Sequence, residues 1–206
     1  DGEIETAVAQ ALAELGRIDY VIANAGFGVA GAVHKLALDD FRRQLETNVF
    51  GVLRTVHATR DALIAGHGSL AIMGSVMSYL SLPLGAPYAM SKHAVRALAY
   101  ALRAELGRHG VAVTLLAPGF VASEIRQVDN RGELRDSAPE TIPPWLIMDV
   151  DTAAAKLVKA VVKRKREQVI TVHGRIAVFL ARHAPAFVDL LVRLTGADRR
   201  RSHKAE

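Results

Sequence analysis

The 206-residue sequence contains no cysteine. That removes disulfides, thiolate metal sites and a cysteine nucleophile, and it suits a reducing, cytoplasmic setting. No apolar run approaches the roughly 18 residues of a membrane span, and no secretory leader pattern is visible. Aromatic residues make up 5% of the chain. None interleaves with the late basic runs Lys163-Arg164-Lys165-Arg166 and Arg199-Arg200-Arg201, so the stacking platforms of a single-strand nucleic-acid binder are missing. Much of the formal charge of +5 lies in those runs, which read as a helix end favoured by the helix dipole and a frayed tail. A nucleic-acid module is the alternative, and it has only the charge runs behind it. The eight histidines form no His-x-His or His-Glu-x-x-His spacing, so no metal site is expected.

Half of the residues are hydrophobic, which suits one compact domain over 1–206 with a core of its own. Ile4, Ala7, Val8, Ala11, Leu12 and Leu15 recur at helical spacing until Gly16. A buried strand is expected at 20–23, a long helix over 38–64 opened by Asp39 and Asp40, and a second strand at 69–73. A second long helix is expected at 87–108, a third strand at 111–116, a helix at 152–165 and a fourth strand at 168–172. The segment 120–150, with Pro139, Pro143 and Pro144, reads as irregular, either a lid or a disordered loop. The tail, 175–194, reads as helix broken at Pro185. This alternation predicts an α/β fold, a doubly wound parallel sheet that binds ligands at the carboxyl ends of its strands. Those ends are 24–28, 74–75 and 118–121.

Tyr88-Ala89-Met90-Ser91-Lys92 lies inside the second long helix. A spacing of four puts phenol and ammonium on one face. A cation beside the phenol stabilises the phenolate and lowers a pKa that otherwise lies near 10. The pair can then exchange a proton with an alcohol or carbonyl. Alone, the spacing is also that of an ordinary surface pair. Ser75, thirteen residues earlier at a strand end, adds a hydroxyl able to donate to a developing alkoxide. Asn48 sits mid-helix, where asparagine is unfavourable. It is either an exposed polar residue or the reason for a bend that holds a water.

Taken together these residues resemble the short-chain dehydrogenases/reductases. Ala23-Asn24-Ala25-Gly26 resembles that family's Asn-Asn-Ala-Gly strand end, and Thr47-Asn48-Val49 its helix asparagine. Gly74-Ser75 and Tyr88 to Lys92 resemble its serine and Tyr-x-x-x-Lys, and Pro118-Gly119-Phe120-Val121-Ala122-Ser123 resembles its Pro-Gly-x-Val-x-Thr loop. The match spans at least 16–123. The resemblance implies an NAD(P)-dependent oxidoreductase acting on a secondary alcohol or ketone, apolar and of moderate size. It makes Tyr88 the acid/base, Ser75 the group that orients the substrate oxygen, and Asn48 the support of a water-linked proton relay. Lys92 would also hold the nicotinamide ribose. Asn24, Ala25, Gly26, Pro118, Gly119, Val121 and Ser123 would line the NAD or NADP, and the long helices would pair in a homodimer or homotetramer.

The sequence departs from the family pattern in three places. Ala23 replaces the first asparagine and Ser123 the threonine. The family's opening strand and Thr-Gly-x-x-x-Gly-x-Gly turn, which holds the pyrophosphate, have no counterpart. Asp1 is not a methionine, and by analogy with the first half of a doubly wound fold about 60 to 80 residues are expected before it. The expected fold is thus Rossmann-type but N-terminally incomplete, with strand 20–23 exposed as an edge. The alternative function is a catalytically silent fragment unable to hold a dinucleotide. Gly26-Phe27-Gly28-Val29-Ala30-Gly31 mimics a dinucleotide fingerprint. No helix is expected to open at its third glycine, however, and no acidic residue ends a following strand. Met77, Tyr79, Trp145 and Met148 are candidate substrate-pocket residues. The tail combines apolar residues with arginines and either packs on the core or a partner, covers the substrate entrance, or lies on an anionic membrane surface.

Overall fold

The computed structural model describes residues 2–131, 133 and 142–194, apart from the Arg126 side chain. Helix α1 (Glu3–Leu15) ends at Gly16, whose φ of 75° suits a residue without a side chain. Strand β1 (Tyr20–Ala23) follows. Helix α2 (Leu38–Leu45) opens where Asp40 Oδ2 accepts the Ala37 N–H at 2.9 Å. The expected single helix over 38–64 is interrupted. Residues Glu46–Phe50 form one π turn before helix α3 (Gly51–Gly66) continues the rod. Asn48 lies in that turn, and such turns are frequent at functional sites. Strand β2 (Ser69–Met73), helix α4 (Ala86–Gly107) and strand β3 (Ala112–Ala117) come next.

Two short 3₁₀ turns, Glu124–Arg126 and Pro144–Leu146, are the helical pieces among the described residues of 120–149. Both ends of this segment are tied down. Ala122 donates to Met148 O and Met148 donates to Phe120 O, each at 2.9 Å. Helix α5 (Val150–Val162) is capped by Asp149, which accepts the Thr152 N–H at 2.9 Å. Strand β4 (Glu167–Val169) is shorter than expected. Thr171, at φ 71°, turns the chain and caps helix α6 (Val172–His183) through the Gly174 N–H, so Val172 opens a helix instead of closing a strand. Helix α7 (Pro185–Leu194) follows the break anticipated at Pro185.

The sheet is parallel with order β1-β2-β3-β4. Its two faces carry separate cores. Leu70, Ile72, Val113, Leu115 and Ala117 pack under α3 and α4 through Val52, Val56, Leu63, Val95, Ala99 and Leu102. Ala71, Met73 and Leu116 pack under α5 through Leu157, Ala160 and Val161. The basic run after α5 is partly structural, because Arg164 donates to the carbonyls of His67, Gly68 and Gly110. Arg199 to Arg201 lie outside the described residues.

Strand β1 is an edge, as expected. It pairs with β2 on one side and with no other described strand. On the α5 side Tyr20 and Ile22 remain 54% and 45% exposed. An apolar edge of this kind invites strand addition. Replacement of Ile22 by lysine is expected to shift the purified chain towards monomer in size-exclusion chromatography without lowering its melting temperature. An unchanged elution profile would show that β1 does not drive association.

Candidate active site

The four residues singled out as a catalytic set gather at the carboxyl ends of β1 and β2. Asn48 is 1% exposed, and its side chain is saturated by protein. Oδ1 accepts the Phe27 N–H at 3.1 Å, while Nδ2 donates to Phe27 O at 3.0 Å and to Ser91 Oγ at 3.1 Å. The π turn brings this amide to the loop after β1. Gln44 acts beside it, one turn earlier, accepting the Val29 N–H at 2.6 Å and donating to Phe27 O at 2.8 Å. Together they fix the loop that the glycine pattern 26–31 resembled as a fingerprint. No helix opens at Gly31, whose N–H goes to Leu84 O.

Lys92 is buried, and its Nζ donates to the Met73 carbonyl at 2.8 Å, at the end of β2. Burial pushes its pKa down from 10.5 to about 8. A Cβ added at Gly26 would lie 3.0 Å from Asn48 Oδ1 and 3.6 Å from Lys92 Nζ. The two side chains therefore face one backbone position, where an added side chain would crowd the Asn48 amide. The Lys92 ammonium sits 5.5 Å from the centre of the Tyr88 ring.

Tyr88 follows Pro87, a residue suited to the first turn of α4. Burial holds its phenol above the ordinary value, and a hydrogen bond with Ser75 pulls the other way. The sequence predicted a lowered value from the nearby ammonium. Lys92 instead directs Nζ to Met73, and desolvation of the phenolate outweighs it. Ser75 caps the 3₁₀ turn Val76–Ser78: its Oγ accepts the Met77 N–H and its N–H donates to Ser78 Oγ, both at 3.1 Å.

Among the other anticipated residues, Asn24, Ala25 and Gly26 are exposed at the end of β1. Pro118 O accepts the Val76 N–H at 3.0 Å, joining the ends of β2 and β3. Gly119 has no room for a side chain, since a Cβ would overlap Thr171 Oγ1 and His173 Nε2. Val121 pairs with Met148. Ser123 is exposed and makes no capping bond. Tyr79 does not line a pocket: it is buried in the main core under Arg96 and Arg182. Trp145 is exposed to solvent, while Met77 and Met148 are half-buried. Among the described residues no three His, Asp or Glu converge as metal ligands.

Sequence reasoning missed Gln44, Ser91 and His173. Ser91 donates to Tyr88 O at 2.7 Å while accepting from Asn48, so it joins two members of the set. Its signal was visible in the variable part of Tyr-x-x-x-Lys. His173 stacks on Phe120 and accepts that residue's N–H at 3.4 Å. No local spacing could have tied it to a loop 53 residues away.

Residues 1–134 match the family described as short chain dehydrogenase, and the chain belongs to that family. It is 34% identical over 125 residues to the Bos taurus dehydrogenase/reductase SDR family member 7B, covering 60% of this chain and 38% of that protein. It is 36% identical over 112 residues to the uncharacterized oxidoreductase YusZ of Bacillus subtilis, covering 52% of this chain and 39% of the relative. Among solved structures, a gluconate 5-dehydrogenase from Burkholderia cenocepacia, in complex with NADP and tartrate, superposes with a TM-score of 0.68 at 27% identity. That match covers 82% of this chain and 69% of the other. The chain thus spans about two fifths of the length of these two relatives.

The buried Lys92 ammonium has a thermodynamic consequence. The unfolded chain holds this proton more tightly than the folded one, so the folded state bears the cost of a buried cation below about pH 8. That cost fades as pH rises from about 8 towards 10.5. Lys92→Met removes it. After the lost hydrogen bond to Met73 is set against it, the variant is expected to gain on the order of 2 kcal/mol at pH 7. The gain should shrink towards pH 10 in thermal melts. A variant less stable than the parent at pH 7 would contradict the buried-cation reading.

Proposed function

We propose that the complete protein is an NAD(P)-dependent oxidoreductase acting on a secondary alcohol or ketone, apolar and of moderate size, in a cytoplasmic setting. The observation that carries this reading is the convergence of Ser75, Tyr88 and Lys92 beside a loop clamped by Asn48. The residues present suit the nicotinamide end of a dinucleotide. Asn24 to Gly26 leave an exposed backbone strip, Gly26 and Gly119 permit close approach, and Lys92 offers a cation to ribose hydroxyls. When bound, the nicotinamide supplies or accepts the hydride. Ser75 holds the substrate oxygen. Tyr88 is protonated at neutral pH, with burial holding its phenol above the ordinary value, so it can donate a proton to that oxygen in reduction. Lys92 keeps its cation 5.5 Å from the centre of the Tyr88 ring as the phenolate forms, and Asn48 keeps the loop and Ser91 in register. Val121 and Ser123 belong to the same reading as the far side of the cofactor site.

One observation favours a second reading, the silent fragment. Strand β1 is an open edge, and the sequence of this chain carries no glycine-rich turn for a pyrophosphate beyond the one already occupied as a strand-end loop. Calorimetric titration of the 206-residue chain with NADH and NADPH is expected to show no micromolar binding. Tight binding would exclude the fragment reading.

In the full gene product, Tyr88→Phe is expected to lower turnover by at least ~10²-fold, with NAD(P)H affinity nearly unchanged by fluorescence titration. Turnover near that of the parent would remove Tyr88 from the proton-donor role. Phe50 on the π turn and Met90 on α4 are exposed, and they fit the proposal that these helices meet across a two-fold axis in a homodimer or homotetramer. Sedimentation equilibrium of the same gene product is expected to give a dimer or tetramer mass, and a monomer at micromolar protein would contradict it.

A further inference from the structure

Helix α6 is apolar on both its faces. Its inner face, Gly174, Val178 and Ala181, packs on the main core. Its outer face carries Val172, Ile176 and Phe179, spaced one and two turns apart and 75%, 55% and 60% exposed. Arg175 lies among them and shares with them and Leu180 one shallow concavity. Helix α7 packs chiefly on α6 and has no buried residue. Phe187, Leu190, Leu191 and Leu194 recur at i, i+3, i+4 and i+7 and are all exposed. Among the described residues, this is more exposed apolar surface than two short solvent-facing helices ordinarily carry.

The charge around the surface identifies that partner. Residues 172–206 carry seven Lys and Arg against three Asp and Glu, so they hold +4 of the chain's net +5. Arg182 is engaged by Glu167 at 2.7 Å. Arg175 and Arg193 flank the apolar residues, and Arg199, Arg200, Arg201 and Lys204 follow in sequence. Docking a second copy on this surface would bring two such cationic segments together. A nucleic acid would leave the phenylalanine and leucine side chains in contact with sugar-phosphate. An anionic bilayer satisfies both features, taking apolar side chains at the acyl boundary and cations among its headgroups. The helices cannot span it, because α6 has 12 residues and α7 has 10, separated at Pro185.

We infer that α6 and α7 form an in-plane docking surface for an anionic lipid bilayer, with Ile176, Phe179, Leu190 and Leu194 as its apolar floor and Arg175 and Arg193 at its rim. The surface stands beside the candidate site. A Cβ on Gly174 would lie 2.9 Å from Val76 Cγ2, and His173 at the start of α6 stacks on Phe120. A bilayer held there places lipid-soluble molecules next to Ser75. The docking itself does not depend on the oxidoreductase reading.

Vesicle flotation of the 206-residue chain is the test, because aggregated protein stays at the bottom of the gradient. The probes are vesicles of phosphatidylcholine alone and vesicles with roughly one third phosphatidylserine. The chain is expected to float with the anionic vesicles, about tenfold more weakly with the neutral ones, and to be released as salt rises well above ~0.15 M. Ile176→Asp with Phe179→Asp, both on the outer face, should abolish flotation while circular dichroism shows an unchanged melt. Replacing Arg199, Arg200 and Arg201 by glutamine should weaken it. Failure to float with either vesicle would overturn the inference, as would equal flotation of the parent and the double aspartate variant. A dimer in sedimentation equilibrium that the same double variant converts to monomer, with no flotation, would assign the surface to a second copy of the chain.

Discussion

The arrangement of the site depends on one buried cation. Lys92 stays buried next to Gly26 with the Met73 carbonyl, at the end of β2, accepting from its ammonium. Isolated charges in such surroundings are costly, and a single carbonyl offsets part of that cost. The remainder appears as a pKa displaced to about 8. Every neighbour reflects this constraint. A side chain at position 26 would crowd the Asn48 amide, with its Cβ 3.0 Å from Oδ1. The helix carrying Asn48 widens into a π turn so that its amide reaches Phe27 and Ser91. Ser91, on the same helix as Lys92, returns that contact to Tyr88.

A second network ties α4 to β4, α6 and the turn after β2. Glu167 at the start of β4 accepts from Tyr100 on α4 and Arg182 on α6, while Arg96 lies over the Tyr79 and Tyr100 rings. Arg96 also donates to Ser78 O, within the turn that Ser75 caps. Against the cost of burial, the hydrogen bond from the Tyr100 hydroxyl and then Arg182 hold the Glu167 pKa below its ordinary value, so the carboxylate stays charged where β4, α4 and α6 meet. Packing, hydrogen bonds and charge thus join the Ser75 turn to the Tyr88–Lys92 helix. Pre-organisation of this kind is what a proton donor and an oxyanion-type donor need if they are to cost nothing at the moment of reaction.

Much of this was legible in the sequence, because its signals are local. The four strands and the helices between them follow from apolar periodicity and from stops such as Gly16 and Pro185. The edge position of β1 followed from the strand order that the family resemblance implied. The candidate set Asn48, Ser75, Tyr88 and Lys92 was legible as a family spacing. What was not legible depends on the third dimension. A π turn has no residue signature beyond an awkward Asn48. Gln44 reads as an ordinary polar helix residue until the loop after β1 folds onto it. His173 reaches Phe120 only after β4 turns sharply at Thr171, a β-branched residue at positive φ that no propensity would place there. Tyr79, near Ser75 in sequence, points into the core because Arg96 and Arg182 draw its ring there. The Tyr88 pKa was read in the wrong direction because adjacency on a helix face says nothing of where an ammonium directs its protons.

The central claim is that Lys92 is a buried, partly neutralised ammonium that organises the site. Direct titration of its Nζ by heteronuclear magnetic resonance, with the signal assigned by its loss in a Lys92 variant, tests this without cofactor or substrate. The expected midpoint lies well below the ordinary lysine value, near 8. A midpoint above 10, the ordinary value for a solvated lysine, would mean that the ammonium is not held beneath Gly26 against Met73. The site would then have to be assembled differently.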